Sequence, residues 1–168
     1  MTQTVEAATQ LRDAVAEDAP VLLRLMHGAF EEYRGRLDPP SGVHGETVTT
    51  VLEKLTGGTA LLATVDGKPA GCVFMRPEGK HVYFSRLSVL PGYRHRGVGR
   101  ALIACVERRA RDEGYASVWL GVRLGLPALL ALYERLGYKT IRRVTHSGYS
   151  EPTYVLMEKT VWSMGDGR

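Results

Sequence analysis

Three arginines and a histidine crowd two glycines in the segment Arg94-His95-Arg96-Gly97-Val98-Gly99-Arg100, directly ahead of an amphipathic stretch. Glycine lets the main chain come close to a ligand, and a helix that opens here turns its first, unpaired N–H groups to the same place. Such a terminus binds phosphate oxygens through those N–H groups and its partial positive charge, and the basic side chains add to the field. A dinucleotide fingerprint, Gly-x-Gly-x-x-Gly, fails at Leu102, and no acidic residue follows at the required distance. The Gly-Lys-Ser/Thr of a Walker loop is also missing. What remains is a site for a pyrophosphate that belongs to neither a dinucleotide nor a nucleoside triphosphate.

The elements that must position this turn can be traced along the chain. An alternating apolar opening ends near Arg12, and Asp18 and Pro20 read as the cap and first turn of a helix carrying Leu22, Leu25, Met26, Ala29, Phe30 and Tyr33. Leu37-Asp38-Pro39-Pro40-Ser41-Gly42 interrupts it, and Val48, Val51, Leu52 and Leu55 mark a second short helix before Gly57-Gly58. Strands follow at Leu61–Val65 and Ala70–Met75 around the hairpin dipeptide Asp66-Gly67, a turn at Arg76–Gly79, and a third strand at His81–Val89 that Pro91-Gly92 ends. Val98, Ala101, Leu102, Cys105, Val106 and Ala110 line one face of the next helix, which stops at Gly114. Ser117–Val122 reads as a strand, Pro127–Leu136 as a helix, and Tyr138–Thr145 and Thr153–Lys159 as further strands. The strand-helix-strand order around Val89–Val122 predicts a right-handed crossover and one parallel pair in an otherwise antiparallel sheet.

At 168 residues, 44% hydrophobic and 24% charged, the chain has the size and composition of one globular domain. We expect that domain over residues 1–162, with a frayed tail at 163–168. Met1–Asp13 lacks the basic start and apolar stretch of a signal peptide, and no later run is apolar enough for a bilayer, so the expected location is the cytoplasm, away from membranes. Cys72 and Cys105 lie in apolar stretches without a second Cys or His at ligand spacing, which points to core thiols and away from a metal site. The net charge of +4 and pI near 9.2 would suit a polyanion, but the charge is concentrated in residues 94–100 and 108–111. Local phosphate binding accounts for that better than a nucleic-acid stripe.

The turn reads Arg94-His95-Arg96-Gly97-Val98-Gly99, and so resembles the Gln/Arg-x-x-Gly-x-Gly/Ala signature of the GCN5-related N-acetyltransferases. The resemblance spans nearly the whole chain, from Leu11-Arg12-Asp13-Ala14 through Arg86-Leu87-Ser88-Val89-Leu90-Pro91 to Leu132-Tyr133-Glu134-Arg135-Leu136-Gly137-Tyr138. It implies an α/β (α+β) fold: a mixed, mostly antiparallel sheet of about seven strands with about four helices. In that fold the strand up to Val89 splays from Ser117–Val122, and the pantetheine arm of acetyl-CoA lies in the gap, held by main-chain groups of Leu87-Ser88-Val89. The amides of His95, Arg96, Gly97, Val98, Gly99 and Arg100 would hold the pyrophosphate, with Arg94 and Arg96 adding charge at its edge. The resemblance makes Tyr133 the general acid, protonating the departing thiolate; a core tyrosine is the plainer alternative.

The implied activity is transfer of an acetyl group from acetyl-CoA to an amine of a small molecule or protein, by direct attack and without a metal. The acceptor must first lose a proton, and here the sequence departs from the family. Ser85-Arg86 stands where many relatives carry a glutamate base, and Leu126 where they carry an asparagine. Glu31, Glu32 and His146 are the candidate bases by their place in the family fold, although exposed charges are commonly just solvated. Glu31–Arg36 and His146–Pro152 are candidate acceptor-facing segments, with His44 and Glu46 behind them. Trp119 is expected in the sheet beneath a helix, and Trp162 at a dimer contact or the acceptor pocket. A homodimer by C-terminal strand exchange is compatible with this reading. Two other functions fit the same residues: a catalytically degenerate acyl-CoA-binding module, from the missing glutamate and asparagine, and a toxin-like aminoacyl-tRNA acetyltransferase, from the basic pI.

Overall fold

The computed structural model describes residues 8–162. Its strands are β1 (Thr9–Asp13), β2 (Thr59–Val65), β3 (Lys68–Glu78), β4 (His81–Val89), β5 (Ser117–Arg123), β6 (Lys139–Val144) and β7 (Tyr154–Thr160). They form one sheet of seven strands in the order β1-β2-β3-β4-β5-β7-β6. The helices are α1 (Ala19–Phe30), α2 (Val48–Gly57), α3 (Val98–Asp112) and α4 (Pro127–Arg135). The pairings β1/β2, β5/β7 and β6/β7 are antiparallel. The pair β4/β5 is parallel, from His81↔Ser117 to Tyr83↔Trp119. A parallel neighbour needs a long crossover, and α3 supplies it, as the apolar spacing of its residues required.

The chain divides into two compact units, one formed by the segments through Arg36, Pro40–Phe74 and Arg86–Ile103, the other by Leu37–Pro39, Met75–Ser85 and the residues from Ala104 on. In the first, Leu22, Leu25 and Met26 of α1 pack with Val43, Val51, Ala60, Leu62, Cys72 and Phe74. Burial pushes the Cys72 thiol up to about 12, so it stays protonated and unreactive at neutral pH. In the second, Phe84, Tyr133 and Tyr138 meet edge-on or tilted at centroid distances of 5.7–6.2 Å. Each such contact adds about 0.5–1.5 kcal/mol beyond its buried area.

Local chemistry explains most of the boundaries. Asp66 (φ 51°) and Gly67 (φ 77°) both take the left-handed conformation that a two-residue hairpin matched to strand twist demands. Thr47 caps α2 reciprocally with Thr50: each hydroxyl accepts the other's main-chain N–H, at 3.3 and 2.9 Å. Gly114 (φ 83°) and Gly137 (φ 97°) follow α3 and α4.

Three expectations are revised. Asp18 does not cap α1 through its side chain; its carboxylate takes both Arg12 guanidinium nitrogens at 2.8 Å and the Val15 N–H at 2.8 Å. A two-pronged pair with a full opposite charge outcompetes a single main-chain N–H at the helix start. β3 runs on to Glu78 rather than turning at Arg76, because Arg76 lies over the Tyr83 ring at 4.7 Å and bonds Glu78 at 3.2 Å. The turn is left to Gly79 (φ 58°) and Lys80. Trp119 is only half-buried, stacked flat on His81 at 3.7 Å with its Nε1–H donated to Glu158, so His81, given no role from the sequence, has a partner. Trp162 is half-buried, and the tail 163–168 lies outside the described residues.

The Arg12 guanidinium holds the Asp18 carboxyl down to about 2, against roughly 3.9 in an unfolded chain. A lowered folded-state value means the pair stabilises above about pH 4 and loses its contribution as pH falls towards 2. Asp18→Asn should therefore lower Tm at pH 7, and the difference from the parent chain should shrink steadily in melts taken from pH 4 down to pH 2.

Candidate active site

Between β4 and α3 the chain makes a 3-10 turn at Pro91–Tyr93, then passes through His95 (φ 61°) and Gly97 (φ 81°) before the helix begins. These left-handed steps tip successive peptide units so that their N–H groups face outward. Ala101 is the first to recover a main-chain acceptor, Gly97 O at 3.0 Å. From His95 to Arg100, no main-chain N–H makes a hydrogen bond of ordinary length to the protein among the described residues. A Cβ built on Gly97 would meet nothing within 4 Å, and one on Gly99 only Val89 Cγ2 at 3.6 Å. The turn is thus an open cradle of donors at a helix N-terminus, with the form and polarity that a diphosphate needs.

Arg94 holds this cradle in shape. Its Nε donates to Val89 O (3.2 Å), its Nη2 to Ala29 O (2.9 Å), and its Nη1 pairs with Glu32 at 2.6 Å. One guanidinium therefore ties the end of β4 and the turn after it to the C-terminal end of α1. Arg96 instead lies against the Tyr93 ring at 5.8 Å. Ser88 is buried at 1% exposure, and its hydroxyl donates to Arg86 O at 2.9 Å.

In the second unit, Tyr133 sits on α4 at 3% exposure, beside Phe84 and Tyr138. The Tyr138 hydroxyl faces Glu107 at 3.5 Å, and burial together with that carboxylate pushes its ionisation well above the ordinary phenol range. Leu126 occupies the N-cap position of α4 and offers no side-chain cap, in keeping with the missing asparagine.

The three candidate bases have different surroundings. Glu31 is held by Arg34 at 2.9 Å, and the hydrogen bonds from that arginine lower its pKa. Glu32 is engaged by Arg94. His146 touches Thr153 Oγ1 and lies 4.9 Å from the Tyr154 ring; burial, with Arg123 nearby, lowers its pKa and so favours neutral imidazole.

A profile of the Acetyltransferase (GNAT) family matches residues 24–138. The chain belongs to that family. Over 82 residues it is 35% identical to the ribosomal protein bS18-alanine N-acetyltransferase of Escherichia coli (strain K12), a match covering 48% of this chain and 55% of the relative. It thus spans about half the length of that curated protein. The PaiA N-acetyltransferase of Thermoplasma acidophilum, solved in complex with coenzyme A, superposes with a TM-score of 0.77 at 17% identity, covering 91% of this chain and 99% of that one. The ribosomal-protein-S18-alanine N-acetyltransferase structure from Escherichia coli gives 0.75 at 20% identity, covering 96% and 99%. At such identities the likeness is one of GNAT fold. The mixed, mostly antiparallel sheet of seven strands with four helices, expected from the resemblance, matches these structures.

Two features of this GNAT chain were not singled out in its sequence. Arg86, in mid-β4, adopts φ 57°, a left-handed kink in a strand that no glycine advertises. Its Nη2 reaches Glu46, 40 residues away, at 3.2 Å. Gly71 of β3 lies so close to β4 that an added Cβ would stand 2.5 Å from Ser88 O. A glycine within a strand pattern is the signal for such an approach, and Gly71 carried it.

Among the described residues, no group of three His, Cys, Asp or Glu gathers as a metal site would require, and no helix is long and apolar enough to cross a membrane. Arg94→Met should cost about 2 kcal/mol of stability, since it strips charge-assisted donors from two carbonyls. Glu32→Gln, at a half-exposed carboxylate, should cost less than about 1 kcal/mol. Urea unfolding of the two variants checks the ordering.

Proposed function

We propose that this GNAT chain transfers an acetyl group from acetyl-CoA to an amine. The observation that carries the reading is the run of unpaired amides from His95 to Arg100 around an open Gly97, in a chain of this family. The complex of the Thermoplasma acidophilum relative with coenzyme A supports the choice of ligand.

Acetyl-CoA, when bound, supplies a thioester carbonyl that a neutral amine attacks while the thiolate departs. The chain's residues do the rest. Main-chain donors of His95–Arg100 take the pyrophosphate oxygens, and main-chain groups along Leu87-Ser88-Val89 align the pantetheine arm. Arg94 acts on the coenzyme through the shape of the turn, its guanidinium being engaged by Val89 O, Ala29 O and Glu32. Tyr133 gives its phenolic proton to the leaving sulfur and regains one from solvent, a transfer typically worth 10²–10⁴-fold in rate.

Thiol release measured with acetyl-CoA and a panel of amines tests the assignment. Tyr133→Phe should reduce kcat roughly 10²-fold with little change in coenzyme affinity. Gly97→Trp, which fills the open cradle and forces a bulky residue into φ 81°, should abolish coenzyme binding in calorimetry. Binding without turnover by any amine would favour the degenerate module instead.

A further inference from the structure

The kink at Arg86 sends a guanidinium into a polar cluster that the proposed reaction does not use. Glu46 is buried, with 7% exposure, and is contacted by Arg86 Nη2 (3.2 Å), Lys54 Nζ (3.4 Å) and the Thr50 hydroxyl. Two cations thus face one carboxylate, and the cluster keeps an excess positive charge. Arg86 is also under-satisfied. Its Nε is buried without an acceptor, its Nη1 makes no bond among the described residues, and its side chain remains 26% exposed. A buried guanidinium N–H without a partner is costly, and such a group in a native structure calls for a specific reason.

Two further details centre on this guanidinium. Gly42 borders it so tightly that a methyl group there would lie 2.9 Å from Nη2, so the turn Gly42–Gly45 leaves room for the arginine. His44, in that turn, buries both ring nitrogens without a partner. Left-handed backbone at a non-glycine residue costs of order 1–3 kcal/mol and collects at functional positions. Arg86 immediately precedes Leu87, where the proposed function places the arm that carries the thioester.

We propose that Arg86 recognises the acceptor, and that the acceptor bears a carboxylate within a few bonds of the amine to be acetylated. The inference rests on the acetyl-transfer reading for the word acceptor, but its physical content is a carboxylate site at Arg86. The Nη1–H groups of Arg86 donate to the carboxylate, while Glu46 holds Nη2 and, with Gly42, fixes the plane of the guanidinium. The same excess charge works against a purely cationic amine, so preference comes from repulsion as well as attraction.

The test uses products, which need no turnover. Calorimetric titrations of N-acetylglycine and N-acetyl-β-alanine are compared with those of their carboxamides, with and without coenzyme A. The carboxylates should bind roughly 10- to 100-fold more tightly than the amides. Arg86→Met should erase the difference and Arg86→Lys should keep part of it. Gly42→Ala, which removes no charge but crowds Nη2, should weaken the preference and serves where Arg86→Met fails to fold. Equal binding of acids and amides, no binding of either, or a preference untouched in Arg86→Lys and Gly42→Ala overturns the proposal. A sample that binds the acids but not coenzyme A would overturn the acetyl-transfer reading and leave the carboxylate site standing.

Discussion

Unpaired main-chain N–H groups are costly unless water or a ligand accepts from them, and this protein presents a run of them at the mouth of α3. The turn that presents them has to be held from outside, because a turn with two left-handed residues gains little from its own contacts. Arg94 does that holding. Its three nitrogens reach the end of β4, the last turn of α1 and the carboxylate of Glu32, so the donors are held in place by the protein itself. Preorganisation of this kind lets binding proceed without the entropy of ordering a loop.

The β3 and β4 backbones serve the same end. Gly71 brings β3 against Ser88 O, and Leu90 N–H reaches Ala70 O at 2.9 Å, so the exit of β4 is fixed where the turn begins. The buried Ser88 hydroxyl closes on Arg86 O and steadies the kink beside it. A straight strand would have left Arg86 with the usual alternation of its neighbours. The kink instead frees its side chain to reach Glu46.

Most of this frame was legible because it rests on local rules. Asp66-Gly67 specified its hairpin, and the apolar spacing from Val98 to Ala110 specified α3. What escaped the sequence rests on pairs distant along the chain. Arg12 claims Asp18 from its cap, Glu158 and His81 claim Trp119, and Arg94 is claimed by Ala29 and Glu32, where charge at the pyrophosphate edge was expected. In each case a strong donor or a flat ring finds a partner that no spacing rule could anticipate. Glu46 was ranked low for the same reason: its importance comes from Arg86 and Lys54, which the fold alone brings to it.

Those pairings bear on how an acceptor amine loses its proton. A carboxylate that accepts from a guanidinium has its ionised form favoured, and so binds a proton weakly. Glu31 is lowered by Arg34, and Glu46, although burial raises it, is net lowered by Thr50, Lys54 and Arg86. Each of these carboxylates is therefore better suited to building the site than to taking a proton from an ammonium. His146 differs in kind: burial and Arg123 favour its neutral imidazole, whose Nδ1 meets Thr153 Oγ1. Of Glu31 and His146, His146 is the one whose surroundings favour the uncharged form, although the lowered pKa weakens the driving force for accepting a proton.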